Sequence, residues 1–214
     1  MKKLALGAAG LTVAAVAALA GIILWADLPT DGAKIGAYAR PGTAYVVIDL
    51  QEDFTGPQAL RPYQDAERVI AAANAVLARA REEGATVVYV ENVVENGLKR
   101  MLMGGVNAPG APGTRTDRRI LQVAGGRTFP KGRGDAFSNP DLEAFLRERQ
   151  IDHVVLMGLD AAHCVNATAG GALRRGYRVT MVTDAITTTG GKSVAELAEG
   201  WRKSGAEVVT TLGR

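Results

Sequence analysis

Three side chains of the sequence have the chemistry of a nucleophilic site: Cys164, Asp49 and Lys131. A thiolate is a strong nucleophile, a carboxylate can accept the thiol proton, and an ammonium group stabilises both negative charges. Cys164 is the single cysteine of the chain, so it cannot form an internal disulfide. Each residue also has a structural interpretation: Cys164 as a small buried side chain, Asp49 as a cap at a strand end, and Lys131 as a solvated charge in a loop. Their places in the fold must decide between these interpretations.

Apolar periodicity predicts strands that alternate with helices from residue 43 onwards. The predicted strands are 45–48, 86–90, 153–157, 178–182 and 207–211. The predicted helices are 66–84, 140–149, 164–175 and 194–203. This alternation predicts an α/β fold, a three-layer α/β/α sandwich with a mainly parallel, Rossmann-like sheet of about six strands. Residues 96–127 are rich in Gly and Pro, which predicts a loop or flap over a site.

The three candidate residues fall where a parallel sheet binds its ligands, beyond the carboxyl ends of the strands. Asp49 directly follows the first strand, and Lys131 lies in the Gly-rich segment 130–134, which is predicted to be a loop. Cys164 follows the strand at 153–157 and opens a helix. Because the start of a helix favours negative charge, this position predicts a thiol pKa below the usual value of about 8.5.

Three separated motifs surround these residues: VIDLQEDF at 47–54, FPK at 129–131 with Ala-Phe at 136–137, and GLDAAHCV at 158–165. In this order and at these predicted strand ends, they resemble the isochorismatase-like cysteine hydrolase family. The resemblance covers roughly residues 43–211. The joint signal is specific, although the D-x-Q-x-D-F pattern alone is only moderately so.

The resemblance implies a catalytic triad of Asp49, Lys131 and Cys164 that cleaves a small amide-type C–N bond through a thioester. Asp53, the second aspartate of the first motif, would then not be the base. The resemblance further implies an oxyanion hole formed by the backbone N–H groups of Asp160 and Cys164. A cis peptide bond between residues 159 and 160 would arrange these donors.

The predicted substrate pocket is lined by Phe54, Asn92, Asp135 and Phe137. Asp135 stands where many relatives have a small residue, so it is expected to narrow the pocket or to contact a cationic group of the substrate. Nicotinamidase-like members of the family hold a metal with an Asp-x-His pair and further histidines. This chain has only His153 and His163, without that spacing. We therefore expect neither a metal nor another cofactor.

The partner expected for such a site is a small-molecule substrate. Two alternatives stay open: a thiol-dependent hydrolase or hydratase that acts on a non-amide molecule, and a catalytically silent, membrane-tethered binding domain. No nucleic-acid partner is expected, because 25 basic and 22 acidic residues are nearly balanced and unclustered. A dinucleotide-binding oxidoreductase is disfavoured because no G-x-G-x-x-G follows the first strand. Relatives often self-associate, which leaves a homo-oligomer open.

The N-terminus predicts contact with a membrane. Lys2 and Lys3 precede an uncharged segment, Leu4–Trp25, whose roughly 22 residues suffice for a helix that crosses the ~30 Å hydrocarbon core. A retained anchor is favoured over a signal peptide cleaved after residues 18–20. The expected location is the extracytoplasmic (periplasmic) side of a membrane, or secretion after cleavage. The predicted organisation is an anchor or signal at 1–25, a linker at 26–42 and an isochorismatase-like hydrolase domain at 43–214.

Overall fold

Six parallel strands form one sheet in the computed structural model, which describes residues 28–211. The strands are β1 (Gly42–Ile48), β2 (Thr86–Asn92), β3 (Arg127–Lys131), β4 (Ile151–Gly158), β5 (Arg178–Ile186) and β6 (Glu207–Val209). Their spatial order is β3-β2-β1-β4-β5-β6. The parallel sheet of about six strands is therefore confirmed.

Helices cover both faces of this sheet. They are α1 (Glu52–Thr55), α2 (Ala66–Glu82), α3 (Gly97–Leu102), α4 (Pro140–Glu148), α5 (Cys164–Arg174) and α6 (Val194–Lys203), with 3-10 turns at Pro112–Thr114 and Ala136–Ser138. Apolar side chains of α4, α5 and α6 form one core layer with the sheet, and those of α2 form the other. The fold is thus the predicted three-layer α/β/α sandwich.

Strand β1 shows how the sequence builds two cores from one strand. Val46 and Ile48 lie in the layer beneath α4 and α5, whereas Tyr45 and Val47 lie in the layer beneath α2. Successive side chains of a strand point to opposite faces, and both faces here are covered by helices. The continuous apolar run at 45–48 follows directly from this double burial.

Strand β3 was missed by the sequence analysis, which placed Lys131 in a loop. Lys131 is instead the last residue of β3, and Lys131 pairs in register with Asn92 of β2. The sequence did not predict this strand because it contains Pro130 and has glycines on either side. A proline is tolerated here because β3 is an edge strand that pairs with β2 alone.

Residues 96–127, predicted as a flap, are attached to the end of β1 by two side chains of the first motif. Gln51 donates from Nε2 to the carbonyl oxygen of Thr114 and forms an isolated bridge with Thr116. The Asp53 carboxylate accepts a hydrogen bond from the Asn107 backbone N–H at 2.6 Å. Gln51 and Asp53 therefore hold the flap, which contains α3 and the first 3-10 turn.

The predicted linker packs on the domain over much of its length. Residues 28–35, here called the N-terminal strap, contain neither helix nor strand. Thr30 donates from its backbone N–H and its hydroxyl to the Asp135 carboxylate. Arg175, which is 3% exposed, donates to the carbonyl oxygens of Thr30 and Asp31 and accepts a hydrogen bond from Ile35 N–H. This part of the linker is held by specific contacts.

Between residues 28 and 211, we find no helix with the length and apolar character needed to cross a membrane. The predicted membrane segment, Leu4–Trp25, lies outside the described residues. The anchor and the extracytoplasmic location therefore stay predictions.

Candidate active site

The candidate site lies where the chain reverses its direction across the sheet, between β1 and β4. Ligands of open α/β sheets bind at this switch point, beyond the carboxyl ends of the strands. Asp49 follows β1, and the turn 159–163 follows β4 and leads into α5. Gly158 has φ +125°, and a Cβ at this position would stand only 2.0 Å from the Ile48 carbonyl oxygen. A glycine is therefore required where the two strands approach each other.

The structure brings Asp49, Lys131 and Cys164 together. The Lys131 ammonium nitrogen lies 2.9 Å from Asp49 Oδ2 and 3.1 Å from the Cys164 sulfur. It also donates to the Arg133 carbonyl oxygen at 3.1 Å. The side chains of Lys131 and Asp49 are almost fully buried, whereas Cys164 is half-buried. The ion pair is thus buried, and it contacts the sulfur of a residue that is itself half-buried.

Burial and mutual contact set the ionisation of the three groups. Burial raises the pKa of Asp49, although Lys131 opposes this shift. Burial lowers the pKa of Lys131, but Asp49 and Cys164 outweigh burial and leave that pKa raised. Burial and the Asp49 carboxylate raise the pKa of Cys164 to about 12, against the opposing effect of Lys131. The resting site therefore contains a protonated thiol beside a carboxylate–ammonium pair.

The expected lowering of the Cys164 pKa is wrong, although the predicted helix does begin at Cys164. A helix N-terminus contributes only about half a positive charge. Desolvation of the sulfur and the full negative charge of Asp49 act in the opposite direction and are larger. With a pKa of about 12, the thiol of Cys164 is protonated at neutral pH.

Two backbone N–H groups of the turn before α5 have no acceptor within residues 28–211. Those of Asp160 and Cys164 donate to no described residue. As the first residue of α5, Cys164 has an N–H without an acceptor inside the helix. The peptide bond between Leu159 and Asp160 is cis, as the resemblance implied. Both N–H groups are thus free to donate to a ligand next to the thiol.

Of the predicted pocket residues, Asn92 contacts Asp49, and Phe54 packs against Tyr63. Asn92 ends β2, is hydrogen bonded through its backbone to the Gln51 side chain, and contacts Asp49 closely enough to lower its pKa. Phe54 packs edge-on against Tyr63, with ring centroids 6.1 Å apart. Tyr63 in turn donates a hydrogen bond to the Asp160 carboxylate.

The structure contradicts the predicted place of Asp135 and Phe137 in the pocket. Asp135 is 0% exposed, and its carboxylate accepts hydrogen bonds from Thr30 and from the Phe137 N–H. A Cβ at Gly171 of α5 would lie 2.2 Å from this carboxylate, so the glycine makes room for it. Phe137 lies in the core under the Arg175 guanidinium, 4.8 Å from its ring centroid. Both residues fix the loop after β3 to α5 and the N-terminal strap.

Three residues near the site were missed by the sequence analysis. Tyr63, Thr188 and Thr189 contact the Asp160 carboxylate, and they lie in loops before α2 and after β5. These loops show no periodicity and belong to none of the three motifs. Only the fold brings them to the turn that precedes Cys164.

Residues 28–211 offer no cluster of metal-binding side chains. No group of three or more His, Cys, Asp or Glu side chains there is arranged to hold a metal ion. His153, near the start of β4, contacts the hydroxyl groups of Thr43 and Thr180. The expectation that activity needs no metal stays a prediction.

The fold and the site together define an α/β/α protein whose ion pair and thiol meet at the switch point of a parallel sheet. The family model for the isochorismatase domain matches residues 43–212. The chain belongs to the isochorismatase family.

Relatives of known name agree with this assignment. Streptothricin hydrolase from Streptomyces noursei is 33% identical over 73% of this chain and 58% of its own length. N-carbamoylsarcosine amidase from an Arthrobacter species is 30% identical over 68% of this chain and 58% of its own length. The chain thus spans less than two thirds of both relatives. The solved structure of N-carbamoylsarcosine amidase from Thermoplasma acidophilum superposes with a TM-score of 0.73 and 28% identity, covering 81% of this chain and 98% of that one.

Proposed function

We propose that the protein is a cysteine-dependent hydrolase that cleaves a small amide-type C–N bond through a thioester. The observation that carries this proposal is the contact of Lys131 with both Asp49 and Cys164, at 2.9 and 3.1 Å. A base, a positive charge and a nucleophile in mutual contact meet the requirements of acyl transfer. Catalytic roles are accordingly assigned to Asp49, Lys131 and Cys164.

In the first half of the reaction, the Cys164 sulfur attacks the substrate carbonyl carbon while its proton passes to Asp49. The electron pair of the C=O bond moves to the oxygen, where the N–H groups of Asp160 and Cys164 stabilise the negative charge. When the intermediate collapses, the C–N bond breaks and Asp49 returns the proton to the departing nitrogen. The products of this half are an amine, or ammonia, and a thioester on Cys164.

In the second half, a water molecule attacks the thioester carbonyl carbon. Asp49, again ionised, accepts a proton from the water, and the same two N–H groups stabilise the second oxyanion. The C–S bond then breaks, the acid leaves, and the sulfur recovers a proton from Asp49. Throughout the cycle, the Lys131 ammonium stabilises whichever of its two neighbours carries the negative charge. Phe54 and Asn92 are assigned to the substrate pocket.

The names of the relatives support an amide-type bond, since one is an amidase of a carbamoyl compound and the other a hydrolase. The triad alone does not determine the leaving group, so a thiol-dependent hydrolase or hydratase with a non-amide substrate is the second candidate. A catalytically silent binding domain is disfavoured, because a binding role gives no reason to bury an ion pair beneath a thiol.

The test is a panel of small primary amides and ureido compounds assayed with the full chain, with ammonia release and mass spectrometry as readouts. We expect turnover of at least one compound, an acyl-enzyme adduct on Cys164, and loss of both in Cys164→Ala. Turnover that survives in Cys164→Ala would overturn the cysteine mechanism. Release of a non-amide leaving group by the same thiol would favour the second candidate.

We further propose that Leu4–Trp25 anchors the protein in a membrane, with the domain on the extracytoplasmic side. The uncharged length of this segment and the lysines at 2 and 3 support this orientation. Full-length protein should then stay with membranes after carbonate washing, and protease added from outside should digest the domain. A soluble product that begins at Gly21 would replace the anchor by a cleaved signal peptide. A full-length cytosolic protein would contradict both versions.

A further inference from the structure

The Asp160 carboxylate is held by hydrogen bonds from three segments of the chain. Oδ1 accepts from the Ala162 N–H at 2.8 Å and from the Thr188 hydroxyl at 3.1 Å. Oδ2 accepts from the Thr189 N–H at 2.8 Å and from the Tyr63 hydroxyl at 3.2 Å. Asp160 is only 6% exposed, so these donors replace water. The carboxylate therefore ties the loop before α2, the turn before α5 and the loop after β5 together.

The backbone of Asp160 organises the turn that carries the proposed reactive groups. Its carbonyl oxygen accepts hydrogen bonds from the N–H groups of His163 and Val165, which flank Cys164. Its own N–H is one of the two proposed oxyanion donors. A displacement of the Asp160 side chain would therefore move both the donor and the start of α5. A misplacement of about 1 Å in a catalytic group costs up to about a hundredfold in rate.

We propose that Tyr63 is a positioning residue that acts through Asp160 to hold the oxyanion donors in place, an inference that rests on the proposed function. Tyr63 is suited to this task because its phenol stays neutral and donates. Burial, with the negative charge of Asp160 as a further cause, raises the pKa of Tyr63. The ring is itself held edge-on against Phe54. Two of the four donors to the carboxylate are side-chain hydroxyl groups, those of Tyr63 and Thr188, and Tyr63→Phe removes the first without altering a backbone group.

The decisive variant is Tyr63→Phe, and the chain offers a matched control in Tyr45→Phe. Tyr45 also donates its hydroxyl to a carboxylate, that of Glu83 at 2.8 Å, but it lies in β1 well before Asp49. We expect Tyr63→Phe to lower kcat about tenfold with KM changed less than about twofold, because the lost effect arises in the transition state. Tyr45→Phe should leave both constants unchanged.

A second readout separates failure of this inference from failure of the proposed function. Amide hydrogen exchange of a peptide covering residues 159–165 requires no substrate. We expect faster exchange of this peptide in Tyr63→Phe and wild-type exchange in Tyr45→Phe. Turnover that persists in Cys164→Ala would refute the proposed function, yet the exchange experiment would still decide whether Tyr63 holds the turn.

Thr188→Val provides a second variant, since it removes the only other side-chain donor to Asp160 among the described residues. It should reproduce the loss of kcat and the faster exchange. The inference is overturned if Tyr63→Phe matches Tyr45→Phe in both readouts. It is also overturned if Tyr63→Phe raises KM at constant kcat, because Tyr63 would then contact the substrate and not position the turn. Thermal unfolding of each variant verifies that folded protein is compared.

Discussion

Asp49 and Asp135 are both buried carboxylates near the segment 131–135, but their surroundings differ. Asp49 touches Lys131 at the end of β3, whereas Asp135 lies four residues further along the chain. Burial raises the pKa of both. The Asp135 oxygens accept from the N–H and hydroxyl of Thr30 and from the Phe137 N–H. Asp49 Oδ2 faces the Lys131 ammonium, while its Oδ1 has no hydrogen-bond partner among the described residues.

This difference supports the proposed catalytic role of Asp49 and a structural role for Asp135. The Asp49 carboxylate contacts the Lys131 ammonium and the Cys164 thiol, two groups that can exchange a proton. Among residues 28–211, the hydrogen-bond donors to Asp135 are neutral groups of Thr30 and Phe137, which are not reactive partners. Equal burial therefore does not imply equal function.

The largest contrast is expected in the paired variants Asp49→Asn and Asp135→Asn. Asp49→Asn should lower kcat/KM at least about a hundredfold, the usual scale for loss of a general base. Asp135→Asn should keep kcat/KM within about threefold, because this residue only braces the loop, and should instead lower the free energy of unfolding by about 1–3 kcal/mol. Steady-state kinetics and urea unfolding measure the two effects. Equal losses of activity in the two variants would contradict the assignment of a catalytic role to Asp49 and a structural role to Asp135.

The pH dependence of kcat/KM sharpens the assignment of Asp49. The base must be ionised, and its pKa is raised above the ordinary value of 3.8. Activity should therefore begin to fall on the acid side at a pH above 3.8, by about tenfold per pH unit. Fluorescence of the folded protein over the same range controls for acid unfolding. An acid limb at or below the ordinary carboxyl value would argue against a buried base.

Alkylation of Cys164 by iodoacetamide should respond to Asp49→Asn in the direction opposite to hydrolysis. In the wild type, burial and the Asp49 carboxylate hold the thiol pKa at about 12, so alkylation at pH 8 should be slower than that of a free thiol. Removal of the carboxylate lowers this pKa and should accelerate alkylation several-fold. Asp135→Asn serves as the control and should leave the rate unchanged. Slower alkylation in Asp49→Asn would show that Asp49 does not raise the thiol pKa.

The smallest effect is expected at the N-terminal strap. Thr30→Val removes the hydroxyl donor to Asp135 and keeps the N–H. The free energy of unfolding at pH 7 should therefore be about 1 kcal/mol lower than in the wild type, and the activity should be unchanged. Loss of this donor raises the folded-state pKa of Asp135 further. The destabilisation is thus present above the raised pKa of Asp135 and should shrink as the pH falls through that pKa. Thr128→Val, at an exposed position of β3, should be neutral. A pH-independent loss would show that Thr30 acts by packing alone.

Much of the fold and the core of the site were predictable from the sequence. Continuous apolar runs and helical spacing located five of the six strands and the four longest helices, because the central strands of a parallel sheet bury both faces. The three motifs singled out Asp49, Lys131 and Cys164, which the structure brings together. These predictions rest on local sequence. A local pattern is sufficient to predict a strand or helix when its side chains are buried at regular intervals.

Tertiary structure alone decided the remaining features. Strand β3 contains Pro130 and exists because the free edge of β2 pairs with it. Asp135 looked like a pocket residue, but the strap arriving from 105 residues away in sequence buries it against α5. The pKa of Cys164 is raised by the loss of solvent and by the charge of Asp49, whereas the helix start visible in the sequence predicted a lowered pKa. Desolvation and contacts between distant segments depend on which surfaces meet, and no local pattern of residue types encodes that.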